Sequence, residues 1–182
     1  IAYQTAWIKT NFIYEFFVSM MTVENNNTEK LSLFVEDAKK LGLKILQPCI
    51  NNSSYEFLIE DISSSEFGIR YSLSSIKNVG TDAIKKVVRI RDKDGEFKNI
   101  DDFLNRVPYG LITKKSFESL IKSGAFDIIE ANRNKLYKSI DLMLNYSHSL
   151  EKEKVSQQSN LFNNNECNKL LINLQDATES VS

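Results

Sequence analysis

Apolar residues recur at helical spacing along most of this chain, and they alternate with polar ones over one short stretch. Tyr3, Ala6 and Trp7, then Ile13, Phe16, Phe17, Met20 and Met21, mark a helical run from Ala2 to Val23, with a break or new cap near Asn11. Asn25, Asn26 and Asn27 read as a turn, and Asn27 or Thr28 can cap a helix carrying Leu31, Phe34, Val35 and Ala38 on one face. Gly42 ends that helix. Leu43 to Pro48 is extended. Tyr55, Phe57 and Ile59, and then Ile69, Tyr71 and Leu73, alternate with polar neighbours. With the polar link Asp61 to Glu66 between them, they predict a small antiparallel β hairpin.

From Leu73 onward the pattern is helical again. A short helix, a tight turn and a second helix are expected through Lys86, ending at the turn Asp92-Lys93-Asp94-Gly95. Ile100 to Val107 forms a short helix that must stop before Pro108. Thr113 caps a helix bearing Phe117, Leu120 and Ile121, closed by Gly124, and Asn132 starts a long last helix through Leu136, Ile140, Met143 and Leu144 to the charged run Glu151–Lys154. After Ser156 the composition turns to Ser, Gln and Asn, including Asn163-Asn164-Asn165, and a disordered C-terminal tail is expected. The fold class is therefore mostly α with a small antiparallel β hairpin, a helix-hairpin-helix element and that tail.

The turn inside the 73–86 stretch carries the candidate chemistry. Between Lys77 and Arg91 stand five bases, Lys77, Lys85, Lys86, Arg89 and Arg91, against the single acid Asp82, in a chain whose net charge is −1. Gly80 brings a backbone position without a Cβ, suited to a tight turn or a close approach to another molecule. Thr81 can cap the following helix, whose free amides and positive dipole end attract phosphate. An ordinary helical turn with a solvated basic face would show the same residues. A contact to nucleic-acid backbone would use the same residues, with Lys77, Lys85 and Lys86 acting by charge and the amides of Val79, Gly80 and Thr81 by hydrogen bonds.

Composition narrows the remaining choices. The 182 residues suffice for one domain or two small ones, and 42% hydrophobic with 26% charged residues is ordinary for a globular chain. Cys49 and Cys167 lie far apart and match no metal spacing, which points to a reducing cytoplasm rather than a disulfide framework. Neither a membrane-length apolar run nor a signal pattern is present. The start at Ile1, inside a helical pattern, suggests a piece of a longer protein. His148, the single histidine, reads as a surface residue, and Asp101-Asp102 as acids favoured at a helix start. No Ser or Cys has a histidine partner at a usable position, and no Gly-rich phosphate loop occurs.

The order of pieces resembles the alpha subunit of bacterial DNA polymerase III. Residues 2–9 are similar to that family's fingers helix, and the segments 24–30 and 43–48 match its next landmarks. Ile76-Lys77-Asn78-Val79-Gly80 resembles its hairpin turn, and residues 120–127 its following signature. Asn78 stands where the family often has glycine; asparagine tolerates left-handed backbone, so the hairpin should survive.

The resemblance implies three parts: the end of the fingers over 1–48, a DNA- and clamp-binding helix-hairpin-helix domain over 49–156, and a clamp-binding peptide with the tail over 157–182. It implies sequence-independent contact with double-stranded DNA, a sliding-clamp partner, other replisome subunits in the longer protein, and no membrane. Gln158, Leu161 and Phe162 of the segment 158–162 resemble the clamp-binding pentapeptide, in which a Gln amide anchors and two apolar side chains fill a pocket. The catalytic aspartates and their magnesium are expected in a palm that precedes this stretch. The chain would thus belong to a nucleotidyltransferase but be inactive alone and hold no cofactor. A free-standing helix-hairpin-helix protein of repair or recombination is the alternative, and a start inside a helix without Met speaks against it.

Overall fold

The structure, a computed structural model, describes residues 2–64 and 66–157. Eleven elements follow in order: α1 Ala2–Asn11, α2 Ile13–Val23, α3 Thr28–Lys40, β1 Lys44–Leu46, β2 Leu58–Ser63, β3 Glu66–Arg70, α4 Thr81–Asp94, α5 Ile100–Arg106, α6 Lys114–Lys122, α7 Arg133–Lys138 and α8 Ile140–Gln157. Helices dominate, as the periodicity requires. The expected disordered tail lies outside the described residues.

Local signals place the helix ends. Phe12, with φ −135° and ψ 59°, separates α1 from α2 next to the expected break at Asn11. Asn27, Asn99, Thr113 and Asn132 each accept a hydrogen bond from the backbone amide three residues on, which satisfies one orphan donor at the start of α3, α5, α6 and α7. Gly42 and Gly124 follow α3 and α6 with φ of 81° and 82°, a backbone in which glycine meets no steric penalty. The expected single helix from Asn132 is instead two. Ser139, at φ −94° and ψ 6°, interrupts it, and its amide takes the carbonyls of both Lys135 and Leu136.

The strands also differ from the simple hairpin. β2 and β3 do pair antiparallel, Ile59 opposite Ile69, but β1 joins parallel on the other side of β3, Ile45 opposite Ile69, giving a three-stranded mixed sheet in the order β1-β3-β2. β2 runs on through Asp61 to Ser63 with a bulge, so most of the polar link is strand. Its residues are nearly all exposed, so the alternation that reached Ile59 did not carry on to Ser63. Arg70 braces this sheet: it donates Nε and Nη2 to the two Glu60 oxygens at 2.6 and 2.5 Å and Nη1 to the Gln47 carbonyl at 2.6 Å. The Arg70 hydrogen bond holds the Glu60 carboxyl below its usual range.

Two apolar clusters result. Phe17, Met21, Leu31, Ala38, Leu43, Phe57 and Ile69 join α2 and α3 to one face of the sheet. This unit extends past residue 48 to include β2 and β3. By contrast α1 leaves Trp7 50% and Ile8 42% exposed, so the helical stripe at the start is not covered. The larger cluster gathers α4 to α8 around Phe97, Phe103, Phe117 and Phe126, with Ile50 and Leu73 reaching in from the earlier part. Asn25 links the two: its Nδ2 donates to Ser74 Oγ at 2.8 Å, and its Oδ1 accepts from the Ser75 hydroxyl. No helix among the described residues is long and apolar enough to cross a membrane.

Candidate nucleic-acid interface

The basic hairpin is built differently from a helix and a turn. Between Leu73 and Val79 two overlapping turns replace the expected first helix: the Ile76 amide donates to the Leu73 carbonyl at 3.3 Å and the Val79 amide to the Ile76 carbonyl at 3.0 Å. Asn78 takes the left-handed conformation, φ 66°, as expected of the residue standing in a glycine's place. Val79 turns its side chain into the larger cluster, 9% exposed. The chain then leaves extended at Gly80, φ −78° and ψ 132°, which is the N-cap of α4. Thr81 is thus the first helical residue and not the cap, because the Asn78 bend ends the turn one residue earlier. The Ile84 amide donates to the Gly80 carbonyl at 3.1 Å.

This arrangement sorts the groups that can meet a phosphate. The Val79 amide is already engaged, whereas the first turn of α4, from Thr81, presents the amides that a helix start leaves without an intrahelical acceptor. A Cβ at Gly80 would meet nothing within 4 Å, so the space beside it is open to an outside molecule. Lys77 and Asn78 are exposed beside it.

The five bases are not equivalent. Lys77, Lys86 and Arg89 are exposed. Lys85 lies with its Nζ 5.2 Å from the centroid of the Tyr55 ring. Arg91 is structural: its Nη1 donates to the carbonyls of Ile50 at 3.1 Å and Ser53 at 2.6 Å, with the side chain only 12% exposed. Asp82 stands exposed in the first turn of α4, the end of the dipole that favours an acid.

A neighbour that the sequence did not single out holds the hairpin. Ser116 in α6, itself 7% exposed, donates its hydroxyl to the Asn78 carbonyl at 2.5 Å, and Asn78 Nδ2 donates to Ser119 Oγ at 3.4 Å. The exposed Lys115 is next to that contact. The doublet Lys114-Lys115 at the start of a capped helix was the available signal, but only the tertiary contact joins it to residue 78. Lys114 itself is paired with Asp141 at 2.5 Å, the hydrogen bond that raises the lysine's pKa.

The remaining candidates lie apart from this face. Asp101 is buried at 8% exposure, Oδ1 has no hydrogen-bond partner, and burial pushes its carboxyl above the usual range. Asp102 accepts from the Lys98 amide at 3.0 Å and pairs with Arg106 at 3.1 Å, a structural role. His148 packs on Tyr109, ring centroids 4.7 Å apart. No group of three or more His, Cys, Asp or Glu side chains among the described residues could hold a metal ion. Gln158, Leu161 and Phe162 lie outside the described residues.

The helix-hairpin-helix motif family matches residues 42–136. Over most of its length the chain is similar to the DNA polymerase III subunit alpha of Caulobacter vibrioides, with 35% identity over 162 residues, 89% of this chain and 14% of that protein. The same subunit of Borreliella burgdorferi is 38% identical over 162 residues, again 89% of this chain and 14% of the relative. That of Deinococcus radiodurans is 38% identical over 141 residues, 78% of this chain and 10% of the relative. The chain therefore spans a small part of the length of the relatives it matches.

Proposed function

This chain belongs to the helix-hairpin-helix family, in a stretch that DNA polymerase III alpha subunits share with it, and on that premise we propose that it is the part of a replicative DNA-directed DNA polymerase that grips duplex DNA and tethers the enzyme to its sliding clamp. The observation that carries the DNA contact is the hairpin itself. Gly80 opens onto free space, unengaged amides start α4, and the exposed Lys77 and Lys86 flank them. Such a face neutralises phosphates and donates hydrogen bonds to their oxygens without touching base edges. A polymerase that must travel over any sequence needs that indifference. Asn78, Val79, Thr81 and Lys85 complete the contact in this reading, Val79 as the apolar anchor and Lys85 as charge held over Tyr55.

Nucleotidyl transfer belongs, in this proposal, to the whole polymerase, acting in the cytoplasm with its other subunits. Residues 1–48 are read as the end of the fingers and 49–156 as the DNA- and clamp-binding part.

Titration with duplex DNA over a range of salt tests the grip. Binding is expected to be equal for unrelated sequences and to weaken steeply with salt. Lys77→Ala with Lys86→Ala removes two phosphate contacts, so the slope of log affinity against log salt should flatten by about 0.9 for each. Salt-insensitive binding, or an unchanged slope in the double variant, would overturn the assignment.

The clamp tether rests on the pattern Gln158, Leu161, Phe162 in a polar stretch. Two apolar side chains bring ~1.5–3 kcal/mol each when buried, which suits a peptide of about micromolar affinity, about −8 kcal/mol. Leu161→Ala with Phe162→Ala should abolish binding of the cognate clamp and leave duplex binding intact. Equal clamp affinity for both chains would place the tether elsewhere.

A further inference from the structure

Lys86 and Arg89 do not only continue the hairpin's charge. They stand one turn apart on α4, are exposed, and have no hydrogen bond or ion pair among the described residues. Across from them the loop that joins α5 to α6 completes a groove. Its lining includes Lys86, Arg89, Ile90, Pro108, Tyr109 and Leu111. The lining thus combines apolar residues with two cations.

Tyr109 is held in this groove as a fixed platform. Its amide donates to Glu151 Oε2 of α8 at 3.0 Å, and its ring rests on that of His148, three residues earlier in α8, at 4.7 Å between centroids and 37° between planes. Both backbone and ring are therefore tied to one helix, and still Tyr109 remains 45% exposed. An exposed aromatic normally loses rotamer freedom on binding; one already fixed loses little. The carboxylate that reaches this loop, Glu151, faces the Tyr109 amide.

We propose that this groove takes unpaired nucleotides of a DNA strand, a base stacking on Tyr109 while the adjoining phosphates meet Lys86 and Arg89. A fixed aromatic face beside free cations is the combination that binds single strands without sequence preference, because every base has a π-face and every linkage a phosphate. An acidic peptide with an apolar residue is the competing occupant. The tied Tyr109–His148 pair favours the base, since a flat rigid ring matches a flat rigid ligand. The inference rests on the DNA-binding reading of α4 but uses a different residue, Tyr109, as its signature.

The test compares the full chain with Tyr109→Ala and Tyr109→Phe, using three probes: a short oligothymidylate, a blunt duplex, and the duplex with a single-stranded overhang. Tyr109→Ala should lose roughly tenfold in affinity for the oligothymidylate and the overhang, within the range of ~1–3 kcal/mol per stacked base, with the blunt duplex unchanged. Tyr109→Phe keeps the ring and should behave as the parent. Equal loss on all three probes, no loss on any, or competition by an acidic peptide without oligothymidylate binding would overturn the groove. Absence of blunt-duplex binding by the parent would instead overturn the hairpin reading, so the two failures are distinct.

Discussion

Phe103→Ala should cost this protein about 3–5 kcal/mol of folding stability, the usual price of emptying a large aromatic site in a packed core. Phe103 is 2% exposed and sits among three other rings: Phe97 and Phe126 at 5.0 Å in edge-to-face geometry, and Phe117 at 6.1 Å, nearly parallel. These rings come from the turn before α5, from α6 and from the segment after it, so no single element can move in to fill the void. Typical domains are stable by ~5–15 kcal/mol, so the variant keeps only part of its margin. Urea unfolding measures it. A midpoint shift worth less than about 1 kcal/mol, within the range of ordinary substitutions, would show that the surrounding helices collapse onto the site.

Asn51→Leu should be nearly as damaging although it adds apolar surface. Asn51 is 9% exposed and copies a backbone pairing: its Nδ2 donates to the Phe97 carbonyl and its Oδ1 accepts from the Phe97 amide, both at 2.9 Å. Leucine has similar bulk but leaves both groups buried without a partner, at ~1–3 kcal/mol each. The expected loss is about 2–6 kcal/mol, by the same addition. Amide hydrogen exchange gives the residue-level check, since the Phe97 amide should lose more protection than the Phe103 amide. Similar changes at the two would mean that global destabilisation, and not the lost pairing, is what the substitution causes.

What the sequence made legible follows from how far each signal reaches. Helix caps at Asn27, Thr113 and Asn132, the break beside Asn11 and the stop at Gly42 depend on neighbours within one turn, and they stand where the pattern put them. The left-handed Asn78 was legible for the same reason. The pairing of β1 with β3, the interruption at Ser139 and the contact of Ser116 with Asn78 depend on distant residues or on burial. No local spacing announces them. Arg91 shows the converse difficulty: counted among the hairpin bases, it serves the 50–53 segment, and only its carbonyl partners reveal that. For the candidate site, charge and glycine were visible in sequence, whereas the division of the five bases into free and engaged ones was not.

That same 50–53 segment orders events in time. β2 and β3 are adjacent in the chain and can close on the ~1–10 μs scale of hairpins. Ile50 donates its amide to the Ala125 carbonyl at 2.7 Å, Asn51 pairs with Phe97, and Arg91 grips both ends. Each of these contacts joins residues far apart in sequence and so must await closure of a long loop. In a chain emerging from the ribosome the Arg91 and Phe97 contacts can therefore form first, whereas the Ile50–Ala125 bond must wait until the residues around Ala125 have been made.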